Sequence, residues 1–71
     1  MAELPGAAVK RLLTKHGRGL RSSGSAVELA IDAASSYIAR LAQEAASSAE
    51  RDKRKTIMDT DIERAKEALG G

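Results

Sequence analysis

Nine of the chain's twelve lysines and arginines sit in two short clusters. Lys10, Arg11, Lys15, Arg18 and Arg21 fall between Glu3 and Glu28 with no acid among them, and Arg51, Lys53, Arg54 and Lys55 surround a single Asp52. The acids lie elsewhere, as Glu28, Asp32, Glu44 and Glu50 in the middle of the chain and Asp59, Asp61, Glu63 and Glu67 near its end. Net charge is only +2, so the pattern matters more than the total. Clustered guanidinium and ammonium groups bind polyanions by Coulomb attraction and counterion release. Two solvated basic turns would leave the same mark on the composition, and the counts alone do not separate these readings.

Bond-making chemistry finds few candidates. His16 is the only histidine and stands where a helix is expected to end, so it suits terminal carbonyls better than a metal. Asp59 and Asp61 could form an acid pair, but helix capping explains them more simply. There is no cysteine, no nucleophile–base set, no glycine-rich phosphate loop and no metal-ligand spacing. No enzyme activity, cofactor or metal is expected.

The elements that must position the basic clusters are helices. Leu4-Pro5-Gly6 begins the first, with proline in a first turn where its missing N–H costs nothing. Ala8, Val9, Leu12 and Leu13 follow at helical spacing to about residue 16, and Gly17 and Gly19 stop it. Ser22, Ser23 or Ser25 can cap a long second helix over roughly residues 23–52. Its apolar residues form two neighbouring stripes, one through Ala26, Ala30, Ala33, Tyr37, Leu41 and Ala45, the other through Val27, Ile31, Ala34, Ile38, Ala42 and Ala49. Lys53 to Thr56 form a second connector. Asp59, Thr60 or Asp61 can cap a last helix carrying Ile62, Ala65 and Leu69, which Gly70-Gly71 ends. The expected class is all-α, as one domain over residues 1–71.

Size makes this helical set incomplete. With 71 residues, no Trp, no Phe and one Tyr, the core must come from Leu, Ile, Val and many Ala, and no disulfide supports it. A helix of some thirty residues spans about 40 Å, more than two short helices can cover. The remainder of its apolar surface is expected to meet another chain, with Ala30, Ala33, Tyr37, Ile38, Leu41 and Ala45 in the shared core. No apolar run approaches membrane length, and Glu3 and Pro5 do not suit a secretory signal. A soluble, cytoplasmic protein with no membrane partner is expected.

Arg54-x-Thr56-x-x-x-x-Asp61, the Leu20-Arg21 that precedes the long stretch, Leu4-Pro5 at the first helix, and Tyr37 and Leu41 within the second stand in the order and spacing of core histones. The chain resembles the histone family over almost its whole length. Lacking long basic tails, it is most similar to an archaeal-type histone. The resemblance implies the histone fold, paired head to tail into a handshake dimer with the long helices crossing. It then implies sequence-nonspecific binding and compaction of double-stranded DNA, in association with the chromosome or nucleoid. The first connector of one chain would lie beside the second connector of its partner, merging the two basic clusters at each end of the dimer.

Residue roles follow from that resemblance. Arg21 is expected to enter the minor groove, steadied by Thr56 of the partner subunit, and Arg11, Lys15, Lys53 and Lys55 to meet phosphates. Arg54 and Asp61 match the family's intrachain ion pair, which makes Arg54 more a structural residue than a phosphate ligand, although it stands in the basic cluster. In the family two dimers join through a four-helix bundle, and the matching positions include Ser48, Arg51, Asp61, Arg64 and Ala68. Archaeal histones usually carry an apolar residue near Ser48 and a histidine near Arg51. The substitutions here imply weakened stacking, which Ser48→Leu would restore, with larger assemblies forming mainly on DNA.

The partners implied are double-stranded DNA and a second copy of this chain, or another histone-fold chain in its place. A histone-fold subunit serving mainly as a protein-binding scaffold in a transcription or replication complex is the alternative. A helix-turn-helix reader of base sequence fits less well, because neither short helix carries the Asn, Gln or Arg rows that base reading needs.

Overall fold

The computed structural model describes residues 4–70 and is built from three helices, α1 (Gly6–His16), α2 (Gly24–Arg51) and α3 (Asp59–Ala68), with no strand among the described residues. This short–long–short order is the one expected from the sequence. Glu3, weighed against a secretory signal, and Gly71, expected to help end the last helix, lie outside the described residues. The chain divides into two compact units, one up to Ser36 and the other from Tyr37, so that α2 contributes its first half to one and its second half to the other.

In the first unit, α1 starts one position later than the proline suggested. Pro5 is the residue before the helix, in extended conformation, and its carbonyl accepts the N–H of Val9 at 3.2 Å. At the other end the Gly17 N–H donates to the Leu13 carbonyl at 2.7 Å. A side chain at Gly17 would place its Cβ 2.4 Å from that oxygen, so only glycine fits. Arg18 then takes a left-handed backbone (φ 57°), followed by Gly19 (φ 75°). Of the three serines available, Ser23 caps α2, its hydroxyl accepting the Ala26 N–H at 3.1 Å.

Little of this unit's apolar surface is covered. No residue of α1 is buried, and among the described residues of this half Ile31 is the buried hydrophobic. Leu4, Pro5, Ala8, Val9, Leu12, Leu13, Ala30 and Ala34 line an apolar groove of about 520 Å³, with His16 and Gly17 at its end. Leu29 is 70% exposed.

In the second unit the core is small and partly polar. Ala45, Ala49 and Ala65 are buried together with Ser48 and Asp61. Alanines let α2 and α3 approach closely but bury little area, so hydrogen bonds must do more of the fastening. Tyr37 (36%) and Ile38 (50%) remain exposed, and the Arg40 guanidinium lies 5.9 Å from the centre of the Tyr37 ring. Expected core positions Ala33, Tyr37 and Ile38 are thus uncovered within one chain, Ala30 and Leu41 are half-buried, and Ala45 is fully buried.

The start of α3 differs from expectation. Met58, not Asp59, Thr60 or Asp61, holds the cap position. Asp61, third in the helix, reaches back to accept the Met58 N–H at 2.8 Å. The carboxylate therefore satisfies the helix end from inside the first turn, where the dipole also favours it.

Candidate nucleic-acid interface

α2 ends at Arg51, and Lys53 turns the chain in a left-handed conformation (φ 58°) while the Arg54 N–H returns to the Ala49 carbonyl at 2.9 Å. Each connector therefore carries a cation, Arg18 or Lys53, at a left-handed position where glycine is the unstrained choice. Sequence reasoning did not find this feature. No residue type marks it, since neither arginine nor lysine favours that conformation.

The turn after α2 brings Arg54 over Asp61. Arg54 Nη1 donates to Asp61 Oδ2 at 2.7 Å and Nη2 to Oδ1 at 2.9 Å. Nη1 also donates to the Thr56 carbonyl at 3.0 Å, tying the connector's own backbone to the same side chain. Beneath them the Ser48 hydroxyl donates to Asp61 Oδ1 at 2.6 Å. Asp61 is wholly buried, yet both oxygens are fully partnered. Its carboxyl is held well below the usual carboxylate range, first by the Arg54 guanidinium, then by the Met58 N–H and the Ser48 hydroxyl, against the opposing effect of burial.

A more exposed layer lies outside this pair. Asp52 Oδ2 accepts from Arg54 Nη2 at 2.9 Å and from Arg64 Nη1 at 3.2 Å, and Arg64 Nη1 also donates to the Ser48 hydroxyl at 2.9 Å. The two arginines lower the Asp52 pKa, Arg54 contributing first. Sequence reasoning missed Asp52. The signal was present in the spacing, since Asp52, just past the end of α2, stands four residues after Ser48 in its last turn, and Asp61 and Arg64 are three apart on one face of α3.

These bonds also place two of the positions matched to a dimer–dimer bundle. Ser48 is 1% exposed and Asp61 0%, both enclosed within the chain. Of the set, Arg51, Arg64 and Ala68 face solvent. Ser48 is therefore not a surface serine that leucine could improve. It is a buried hydroxyl with a donor and an acceptor role, and a leucine there would leave Asp61 short of a partner.

The remaining candidate residues are exposed cations. Arg11, Lys15, Arg21, Lys53 and Lys55 all face solvent, as do Lys10, Arg18 and the Thr56 side chain. None of these cations lies within salt-bridge distance of a carboxylate among the described residues; the bridges join Asp52 and Asp61 to Arg54 and Arg64. In the first unit Arg18 and Arg21 share the connector with Leu20, 67% exposed. In the second, Lys53 and Lys55 flank Arg54. Such a surface carries positive charge that no salt bridge among the described residues offsets. Among the described residues no cluster of three or more His, Cys, Asp or Glu could hold a metal, and no helix is long and apolar enough to cross a membrane.

Comparison with known proteins identifies a family. The family model described as histone-like transcription factor (CBF/NF-Y) and archaeal histone aligns with residues 2–65. No significant match was found among curated proteins or among solved structures.

Proposed function

We propose that the chain, which belongs to the histone-like transcription factor (CBF/NF-Y) and archaeal histone family, works as a dimer that binds and compacts double-stranded DNA without reading its sequence. The family binds DNA and forms dimers through the histone fold. What supports this for the present chain is one observation, the exposed cations of the two connectors that no carboxylate among the described residues neutralises. Head-to-tail pairing brings Arg18 and Arg21 of one chain beside Lys53, Lys55 and Thr56 of its partner. Arg21 then inserts into an inward-facing minor groove, and the lysines, with Arg11 and Lys15 along α1, meet the flanking phosphates. Base edges are not read, so specificity is low by construction.

The uncovered apolar surface supports the dimer. The groove between α1 and the first half of α2 would otherwise expose Val9, Leu12 and Leu13 to water. The long helix of a second chain, bringing Tyr37 and Leu41 of one stripe and Ile38 of its neighbour, covers such a face. A second copy is the simplest partner, and association with the chromosome follows from the DNA binding. Arg54, committed to Asp61, holds the second connector in place for its lysine neighbours.

Crosslinking and sedimentation of the pure chain, with and without duplex DNA, test this. A crosslinked dimer alone and larger species on DNA are expected. A chain that sediments as a dimer only after a different histone-fold chain is added, and that stays off DNA by itself, would instead indicate a scaffold subunit.

A further inference from the structure

We propose that Arg54 and Arg64 form a phosphodiester-binding fork that Asp52 occupies in the free chain, and that a DNA backbone phosphate takes the place of the Asp52 carboxylate on binding. This rests on the DNA-binding reading above and adds a site and a gating residue to it.

The hydrogen bonds around Ser48 divide into a fixed half and a labile half. Asp61 is closed off from water and receives four hydrogen bonds, from Ser48, from both Nη atoms of Arg54 and from the Met58 backbone. Asp52 receives two, both through its single Oδ2, and its side chain is 43% exposed. Arg64 is about as exposed. Pairs in that setting are screened by water and contribute little to stability, whereas the buried pair is costly to break. A competing anion therefore displaces Asp52 and leaves Asp61 in place.

The location of Asp52 is unfavourable for reasons apart from the fork. It follows the last residue of α2, at the negative end of the helix dipole, where a carboxylate is disfavoured. Its one compensation is the pair of arginines. It is also the single acid among Arg51, Lys53, Arg54 and Lys55, so it cancels charge where the chain is most basic. With Asp52 turned away, one N–H of Arg54 Nη2 and one of Arg64 Nη1 point at the same vacated oxygen position. A phosphodiester carries one negative charge on two unshared oxygens and can accept one bond from each. Two arginines and two carboxylates sum to zero in the free chain, and two arginines, Asp61 and one phosphate again sum to zero. Arg64, which sequence reasoning placed at a protein interface, becomes a nucleic-acid contact.

The test compares duplex affinity of Asp52→Asn with that of Glu50→Gln, which removes one negative charge from an exposed neighbour outside the fork. Asp52→Asn is expected to bind roughly two- to fivefold tighter per fork, Glu50→Gln less than Asp52→Asn, and the excess is expected to vanish in an Arg64→Ala background. Equal effects of Asp52→Asn and Glu50→Gln, or an excess that survives Arg64→Ala, would overturn the fork. The parent gives a second readout that needs no variant. On adding a short duplex, the ¹³C carboxyl resonance of Asp52 should move toward that of a free carboxylate while that of Asp61 stays put, and an unmoved Asp52 signal in a DNA-bound sample contradicts the proposal. A parent that fails to bind duplex DNA at low salt overturns the DNA reading itself, a result distinct from binding without a response at Asp52.

Discussion

Arg54 grips both oxygens of the buried Asp61, at 2.7 and 2.9 Å, and so fastens the second connector to the first turn of α3. The two residues are seven apart in sequence, and the bond fixes the path of everything between them, including Lys55 and Thr56. On the proposed function, a stable shape for that loop would let its lysine meet a phosphate in a defined place.

Asp61→Asn should lower the melting temperature more than alanine at any exposed cation, because Arg54 would lose its buried charged partner, keeping only the exposed Asp52, and Ser48 and Met58 would lose a strong acceptor. Arg54→Lys should not restore the parent value, since an ammonium cannot make the two-pronged contact. The pH dependence has a definite sign. The Asp61 carboxyl is depressed in the folded chain, so the unfolded chain binds the proton first and folding stability is lost on acidification. The parent should hold its melting temperature down to about pH 4, the ordinary carboxylate range, and lose it below. Asp61→Asn should lack that part of the acid loss, which melting curves at a series of pH values will show.

The uncovered faces of α1 and α2 imply a folding unit larger than one chain. The melting temperature should rise with protein concentration. Leu41→Asp should abolish folding, because a carboxylate buried without a partner costs several kcal/mol, comparable to the whole stability of a small domain. Circular dichroism over a hundredfold dilution series checks both. A concentration-independent transition in a sedimenting monomer would rule out the obligate dimer.

Arg21→Ala should weaken duplex binding more than alanine at Arg11, Lys15, Lys53 or Lys55, while leaving the melting curve unchanged. Arg21 is exposed and bonded to nothing in the free chain that folding requires. Fluorescence anisotropy with a labelled duplex measures the first effect and circular dichroism the second. Unaltered affinity would remove the minor-groove role.

Ser48→Leu should destabilise the protein by about 1–3 kcal/mol, the range for forcing a larger side chain into a packed site. The sequence had suggested the opposite use of this position, as a weak spot in dimer–dimer stacking. With Ser48 enclosed, a leucine disturbs the Asp61 site before it can reach any neighbour, and thermal unfolding of the variant decides between the two.

Much of the fold was legible because it depends on periodicity and punctuation. The apolar spacing of α2 and its freedom from proline and glycine after Gly24 set its length, and Gly17 ended α1 for a steric reason. Helix starts were less legible. The cap of α3 depends on which carboxylate can turn back to the chain, and three candidates within residues 59–61 look alike until Arg54 and Ser48 select Asp61. The same limit hid Asp52, whose role comes from two arginines converging on it from different elements. Exposed cations such as Arg21 and Lys55 could be named from charge clustering, but the left-handed backbone at Arg18 and Lys53 has no compositional mark.

The most direct test of DNA binding by charge and shape is a salt titration of the pure chain on two duplexes of unrelated sequence. Both should bind with equal affinity, and both should lose on the order of a thousandfold or more between about 50 and 200 mM salt, as expected when several phosphates release their counterions. Affinity that is insensitive to salt, or a strong preference for one of the two duplexes, would contradict it.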